Sequence, residues 1–241
     1  MESEMAGHSK WSKIKRDKGA NDAKRGAVFT RIGNQIAIAA RAGTDPDMNP
    51  SLAVAIEKAR QANMPKDNIQ RSIDRVADKN AAQLEEVTYE AYGPGGVAII
   101  IEAATDNKNR TFPEVRTALT KNGGSMADSG SVLFQFSRKG VINVKASGEE
   151  ALLQVLEAGA EDASEEDGEI IVYTDPKEMH AVRAAIIEAG LEVIEAELQY
   201  IANNPVPVED EATTAKVMKV LNALDELDDV SAVHTNGEFS S

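Results

Sequence analysis

Apolar residues in the first third of the chain recur at helical spacing. Across residues 28–40 they fall three or four positions apart, and Gly43 ends that run. A second stripe follows Pro50, which suits a first helical position, and a third follows Pro65. Three amphipathic helices are therefore predicted over residues 21–78. The apolar positions of these stripes are Val28, Phe29, Ile32, Ile36, Ala39, Ala40, Leu52, Ile56, Ala59, Ile69, Ile73 and Val76.

The pattern then changes to that of strands. Two strand-like runs, 87–92 and 97–103, flank the turn sequence 93–96, which is typical of an antiparallel hairpin. A helix is predicted from Thr111 to Asn122, where two glycines follow, and another strand over Ser131–Phe136.

Residues 141–201 follow the order β-α-β-β-α-β, which is typical of a ferredoxin-like split β-α-β fold. A proline-containing linker leads to a last helix, 213–227, and a last strand, 230–235. These two elements alone are too few to bury a core, so they are expected to complete the segment 83–139.

The predicted fold class is α+β with three domains, namely an N-terminal three-helix domain and two α/β domains of ferredoxin-like type. The predicted boundaries are 1–80 for the basic arm and helical domain, 81–139 plus 209–241 for a discontinuous middle domain, and 140–208 for an inserted domain.

Composition narrows the possible functions. The formal net charge is −14, which disfavours a membrane surface as partner. No cysteine is present, so disulfides, thiolate metal sites and a cysteine nucleophile are excluded. No apolar run approaches the roughly 20 residues of a membrane-spanning helix. The acidic start of the sequence shows no targeting signal, so the cytoplasm is the expected location.

The charge is unevenly distributed. Residues 1–80 hold 15 Lys and Arg against 10 Asp and Glu, and residues 81–241 hold 11 against 30. Within residues 6–31 there are 8 basic and 2 acidic residues. A basic segment on an acidic protein is typical of a nucleic-acid contact, although a solvated basic helix face would show the same signs.

The N-terminal segment carries the strongest candidate site. Lysine and arginine side chains neutralise phosphates and release counterions, which gives affinity without sequence information. Trp11 stands among them, and either stacks on an unpaired base or anchors the segment in the core. The candidate contacts of this segment are Lys10, Trp11, Lys13, Lys15, Arg16, Lys18, Lys24 and Arg25.

A second candidate is the loop at residues 105–111, which connects a strand to a helix. Helix N-termini favour anions, and Lys108 and Arg110 would strengthen such a site. The alternative is ordinary capping by Thr111 with solvated basic neighbours.

No other constellation indicates chemistry. His8, His180 and His234 lack metal-ligand spacing, and the carboxylates over 161–167 lack the pattern of a calcium loop. The glycines at 93–96 join two strands instead of opening a helix, so a phosphate loop is not expected. No enzyme activity, metal, cofactor or small-molecule substrate is predicted.

Several blocks of sequence together resemble one known family. The chain is similar to the YebC/PmpR family, which includes the mitochondrial translational activator of cytochrome oxidase subunit one, and the resemblance runs from Met5 to about Thr235. It implies three domains, a cytoplasmic location, and a probable DNA-binding transcriptional regulator, with members also linked to the ribosome and to translation of proline runs. The blocks are Met5-Ala6-Gly7-His8-Ser9-Lys10-Trp11, Asp22-Ala23-Lys24-Arg25-Gly26, Ala62-Asn63-Met64-Pro65-Lys66-Asp67-Asn68-Ile69, Tyr92-Gly93-Pro94-Gly95-Gly96-Val97-Ala98 and Lys121-Asn122-Gly123-Gly124.

Three hypotheses about function follow. The first is a nucleic-acid-binding regulator of gene expression that binds duplex DNA as a transcriptional regulator. The second is a translation factor that binds ribosomal RNA on the ribosome, since RNA shape can be recognised without a major-groove helix. The third is a protein adaptor that uses the α/β domains, with the basic segment merely solvated. No predicted helix carries an obvious base-reading face of Arg, Asn and Gln.

Overall fold

The computed structural model describes residues 11, 25–77 and 83–239 of the 241-residue chain. These residues form seven α-helices and antiparallel sheets, with one short parallel pair of strands, so the predicted α+β class is confirmed. They divide into two compact units. We call residues 136–202 the insert, and the other described residues the main unit.

Three helices open the main unit and pack around an aliphatic core, as their apolar stripes predict. They are α1 (Arg25–Ala39), α2 (Pro50–Gln61) and α3 (Lys66–Asp74). The Asn49 side chain caps α2 by accepting the Leu52 N–H at 3.2 Å. At its other end Asn63 adopts a φ of 58°, and the Met64 N–H donates to the Ala59 carbonyl at 2.9 Å. Of the predicted apolar positions, Val76 is exposed.

The other part of the main unit contains a four-stranded antiparallel sheet in the order β3-β1-β2-β9 and a two-stranded parallel sheet of β8 and β10. The predicted hairpin at 93–96 is confirmed, because it joins the paired strands β1 and β2. That direct connection differs from a ferredoxin-like sheet, where a helix follows the first strand, so the ferredoxin-like prediction is wrong for this connectivity. The elements are β1 (Glu85–Tyr92), β2 (Ala98–Thr105), α4 (Lys108–Lys121), β3 (Ser125–Met126), β8 (Val206–Val208), α7 (Glu211–Asp225), β9 (Val230–Thr235) and β10 (Gly237–Phe239).

The prediction of a strand over Ser131–Phe136 is wrong for residues 131–135, because the strand starts only at Phe136. The buried Glu90 carboxylate accepts the N–H groups of Gly130, Val132 and Leu133 at 2.5–2.8 Å. Amides that donate to a carboxylate cannot also join a strand ladder. Residues 133–135 therefore form a 3₁₀ turn, and the next strand starts only at Phe136.

The insert is a continuous stretch whose sheet has the antiparallel order β5-β6-β4-β7. Both helices pack on one face of it, and the insert's core lies between them and the sheet. The two residues that flank the insert lie side by side in the main unit, because the Asn203 N–H donates to the Gln135 carbonyl at 2.8 Å. The elements are β4 (Phe136–Val144), α5 (Glu149–Glu157), β5 (Asp162–Glu166), β6 (Glu169–Thr174), α6 (Met179–Glu188) and β7 (Val193–Ala202).

Helix α1 joins the helical part of the main unit to its sheet by lying against β2 and β9. Arg31 Nη1 lies 3.1 Å from Asp225 Oδ1, and each of these side chains is only 15% exposed. The Arg41 guanidinium donates to the Leu84 carbonyl just before β1. Two basic residues of the helical part therefore make contacts within the main unit.

Candidate nucleic-acid interface

Most of the basic N-terminal candidates lie outside the described residues. These are Lys10, Lys13, Lys15, Arg16, Lys18 and Lys24. Arg25 is described only as the first residue of α1. Trp11 is the member of this segment whose side chain the structure places, so the position of the candidate interface depends on it.

The Trp11 side chain is buried in the core of the main unit. Its ring is 2% exposed and belongs to the apolar cluster that includes Val97, Val233 and Phe239. The indole Nε1–H donates to the Val233 carbonyl at 3.0 Å. A ring enclosed in this way has no free face, so its prediction as a base-stacking contact is wrong, and Trp11 is instead a core anchor.

The anchor has a defined place in the fold. Val233 belongs to β9, which is an edge strand of the main sheet, and its backbone carbonyl is the acceptor. Edge strands leave such groups unpaired, and the indole satisfies one of them. Since Lys10 adjoins Trp11 in the chain, the basic segment is tied at this point to the edge of the sheet.

The helical part supplies further exposed basic residues that the sequence analysis did not select. They are Arg60 near the end of α2 and Lys66 and Arg71 on α3. Arg71 Nη2 donates to Asn68 Oδ1 at 2.7 Å, and Gln70 Nε2 donates to Asp74 Oδ1 at 2.8 Å. Lys66 lies inside the block 62–69, which carries part of the family resemblance, and Arg60 and Arg71 flank that block. Residues 25–77 hold 8 basic and 5 acidic residues, so this part is also net positive.

A carboxylate of the protein, Asp229, lies beside the predicted anion site at the start of α4. Asp229 Oδ2 accepts the Thr111 hydroxyl at 2.6 Å and lies 3.2 Å from Thr105 Oγ1. Arg110 Nη2 donates to the same oxygen at 2.8 Å. An internal carboxylate thus engages the side chains of Thr105, Thr111 and Arg110 beside this helix N-terminus.

Neither basic residue of that loop presents an unpaired charge. Arg110 also donates to Asp106 Oδ1 at 3.1 Å, and the Lys108 ammonium pairs with the Glu85 carboxylate. The Asn107 side chain caps α4 by accepting the Arg110 N–H. Acidic partners thus already offset the charges of Lys108 and Arg110, and their contact with nucleic acid stays a prediction.

The same contacts set the protonation of this cluster. Partial burial raises the pKa of Asp229, but the hydrogen bonds from Thr111 and Arg110 outweigh it and hold the pKa below its ordinary value. The hydrogen bond to Asp229, together with that charge, raises the pKa of Arg110. The pair is therefore ionised throughout the neutral range.

The histidines have separate surroundings. His234 Nε2 lies 2.8 Å from Glu102 Oε2 inside the main unit, and burial together with the nearby Arg183 lowers the pKa of His180 in the insert. His8 lies outside the described residues. Within residues 11, 25–77 and 83–239, no three His, Asp or Glu side chains are grouped to hold a metal ion. None of the described helices is long and apolar enough to cross a membrane.

Known proteins are similar to this chain over nearly its whole length. The TACO1/YebC N-terminal domain matches residues 9–79, and the TACO1/YebC second and third domain matches residues 84–237. A probable transcriptional regulatory protein of Moorella thermoacetica is 46% identical over 242 residues, covering 98% of this chain and 96% of the relative. A protein of the same name from Persephonella marina is 48% identical, covering 98% and 97%.

A solved structure gives the same result. The crystal structure of a conserved hypothetical protein from Aquifex aeolicus is 43% identical, has a TM-score of 0.86, and covers 91% of this chain and 93% of its own. The resemblance found in the sequence motifs is confirmed by the family match and by these relatives. The chain belongs to the TACO1/YebC family.

Proposed function

We propose that this protein is a nucleic-acid-binding regulator of gene expression that holds the phosphate backbone with its basic N-terminal segment, and that it acts as a DNA-binding transcriptional regulator. The relatives named as probable transcriptional regulatory proteins support that role. The observation that carries the proposal is the burial of Trp11. Its anchoring ties a strongly basic segment to a folded body, so bound phosphates would be held by the whole protein.

The contact would supply affinity without reading bases. Two exposed polar side chains of α3 are engaged with their own helix, namely Gln70 on Asp74 and Arg71 on Asn68. Direct base readout requires such side chains to reach into a groove. On α3 these contacts hold the exposed Gln70 and Arg71 side chains against their own helix.

A second candidate is a translation factor that binds ribosomal RNA at the ribosome. The charge of the insert favours it, because residues 136–202 hold 15 acidic and 5 basic residues. An acidic body keeps most of the protein away from phosphate and lets only its basic end approach an RNA surface. We propose that such a factor has three domains, one of them a ferredoxin-like insert.

The proposed role needs no chemistry beyond binding. We propose that the protein acts in the cytoplasm without enzyme activity, cofactor, small-molecule substrate or membrane partner. The absence of cysteine and the internal use of the Asp229 and Glu90 carboxylates support this view.

Charge reversal tests the proposal. In the triple variant Lys13→Glu, Lys15→Glu and Arg16→Glu, we expect affinity for nucleic acid to fall and the slope of log affinity against log salt to flatten by roughly one per lost contact. The matched control reverses Lys216 and Lys219, which are exposed on α7 of the same unit. Binding should be measured across a salt series with a DNA panel and with purified ribosomes.

The two partners give different outcomes. Binding to one DNA site that survives moderate salt would support transcriptional regulation, whereas retention on ribosomes at physiological salt with weak DNA binding would support the translation role. If the triple variant binds both partners as the control does, the basic segment is not the contact and the proposal fails.

A further inference from the structure

The insert differs from a basic, phosphate-binding module in both charge and surface. Its 15 acidic and 5 basic residues give a net charge of −10. A surface of this sign repels nucleic acid and anionic membranes, and attracts basic protein segments. Any partner of the insert would therefore carry positive charge.

Helix α5 of the insert has an apolar face on each side. Its inner face places Ala151 and Val155 in the insert's core. Its outer face exposes Leu153 and Leu156, which are 55% and 43% exposed. Residues three apart lie on one side of a helix, so these two leucines are neighbours. The two leucines together form a small continuous apolar surface on the solvent side of this helix.

Acidic side chains surround this leucine pair. Glu149 and Glu150 lie one turn before Leu153, and Glu157 lies one turn after it; all three are exposed. The neighbouring strand β5 adds Glu165, whose carboxylate accepts the Gly148 N–H at 2.7 Å beside the start of α5. Acidic residues thus lie near the leucine pair at both ends of the helix and on the adjacent edge strand.

We propose that the outer face of α5 docks a basic amphipathic helix of a partner protein. The leucine pair would pack against the partner's apolar stripe, and Glu149, Glu150 and Glu157 would pair with lysine or arginine on its flanks. The nine residues of α5 span roughly 13 Å, which offers about two to three turns of a partner helix. This role lies beyond nucleic-acid binding, since it would give the regulator a second, protein-directed end.

Charge selects this occupant over the others. A second copy would place the same glutamates on both sides of a two-fold interface, where they would repel each other. An anionic membrane or an RNA would meet the net charge of −10 directly. A helix carrying both positive charge and an apolar stripe matches the two features of this face together.

The test uses the full chain and a labelled peptide of about 18 residues made of Leu and Lys in amphipathic order, with fluorescence anisotropy at about 0.15 M salt. The double variant Leu153→Ser and Leu156→Ser should lose about tenfold or more in affinity. The matched control is Leu198→Ser, which changes an exposed leucine on β7 of the insert and should leave affinity unchanged. The triple variant Glu149→Gln, Glu150→Gln and Glu157→Gln should weaken binding and reduce its salt dependence.

A peptide of the same composition in scrambled order separates this face from general attraction between charges. Equal binding of the scrambled peptide, or unchanged binding by the leucine variant, would overturn the proposal. So would a leucine-dependent self-association seen by sedimentation, because the occupant would then be a second copy. Circular dichroism checks that the variants fold. If the leucine variant does not fold, the glutamate variant still tests the proposal. Nucleic-acid binding by these variants should remain intact, so failure here is distinct from failure of the proposed function.

Discussion

The main unit and the insert each contain a four-stranded antiparallel sheet, but the two sheets draw on different parts of the chain. The insert takes all its strands from the continuous stretch 136–202. The main sheet takes its edge strand β9 from the end of the chain, and Trp11 from near the beginning donates to that strand. One sheet is thus locally complete, while the other depends on both ends of the sequence.

The two units also differ in how polar groups are used. Between its sheet and helices, the insert has a core of aliphatic side chains with one methionine. The main unit adds two largely buried carboxylates, Glu90 on three backbone amides and Asp229 on Thr111 and Arg110. The comparison teaches that similar sheets can depend on unlike contacts, so variants should affect the two units separately.

Truncation after Asp229 should give the largest separation between the units. It removes β9, whose Val230 and Val233 are buried, and leaves β2 without a neighbour on one side. We expect the main unit to lose its fold while the insert keeps its own, because the insert's core contains no residue from the deleted segment. Limited proteolysis with mass spectrometry would show a protected fragment near 136–202. Protection of the main sheet in the truncated chain would contradict the comparison.

Trp11→Ala should be the next largest change. Removing a fully buried aromatic ring costs about 3–5 kcal/mol of unfolding free energy. Trp11→Phe retains an aromatic ring but loses the hydrogen bond to Val233. The loss of that hydrogen bond alone should lower the unfolding free energy by about 0.5–1.5 kcal/mol, which is less than the cost of Trp11→Ala. Phe134→Ala is the control, since Phe134 is 72% exposed and should change stability by less than about 0.5 kcal/mol. Urea melts of the three variants check the order.

Asp229→Asn should have a moderate effect that depends on pH. The variant weakens the contacts with Thr111 and Arg110 and should cost about 1–3 kcal/mol near neutral pH. The folded pKa of Asp229 is lowered from 3.8, so its stabilisation is present above the unfolded pKa and is lost as the pH falls through the folded pKa. Wild type and variant should therefore converge in stability below about pH 4. Melts that stay equally far apart at acidic and neutral pH would show that this carboxylate is not responsible.

Lys108→Ala combined with Arg110→Ala should have the smallest effect on nucleic-acid binding. Both cations are already paired with carboxylates, so we expect affinity to change by no more than about twofold, equivalent to roughly 0.5 kcal/mol. The same salt series that tests the Lys13, Lys15 and Arg16 reversal provides the comparison. A loss of affinity as large as that of the Lys13, Lys15 and Arg16 variant would show that this loop also contacts nucleic acid.

The sequence predicts those features of the fold that rest on local pattern. The helical stripes of α1–α3 and the hairpin at 93–96 depend on spacing and turn residues within a few positions, and both are confirmed. The strand expected over 131–136 failed because the carboxylate of Glu90, about forty residues earlier, takes its amides.

The candidate site shows the same limit more strongly. Trp11 finds its acceptor 222 positions later, and Arg110 finds Asp229 119 positions later. Spacing and composition contain no information on pairs so far apart. The sequence therefore identifies the basic residues, but it does not predict which of them form ion pairs with acidic residues far away in the chain.

The contact between Trp11 and β9 also has a consequence for synthesis. A chain leaving the ribosome emerges from its N-terminus, and domains generally fold as they appear. The insert is complete once residue 202 has emerged, whereas Trp11 must wait for Val233, which lies 222 residues after it. The basic segment is thus synthesised well before its anchor on β9 can form, so under the proposed function an unfinished chain would present this segment without its anchor.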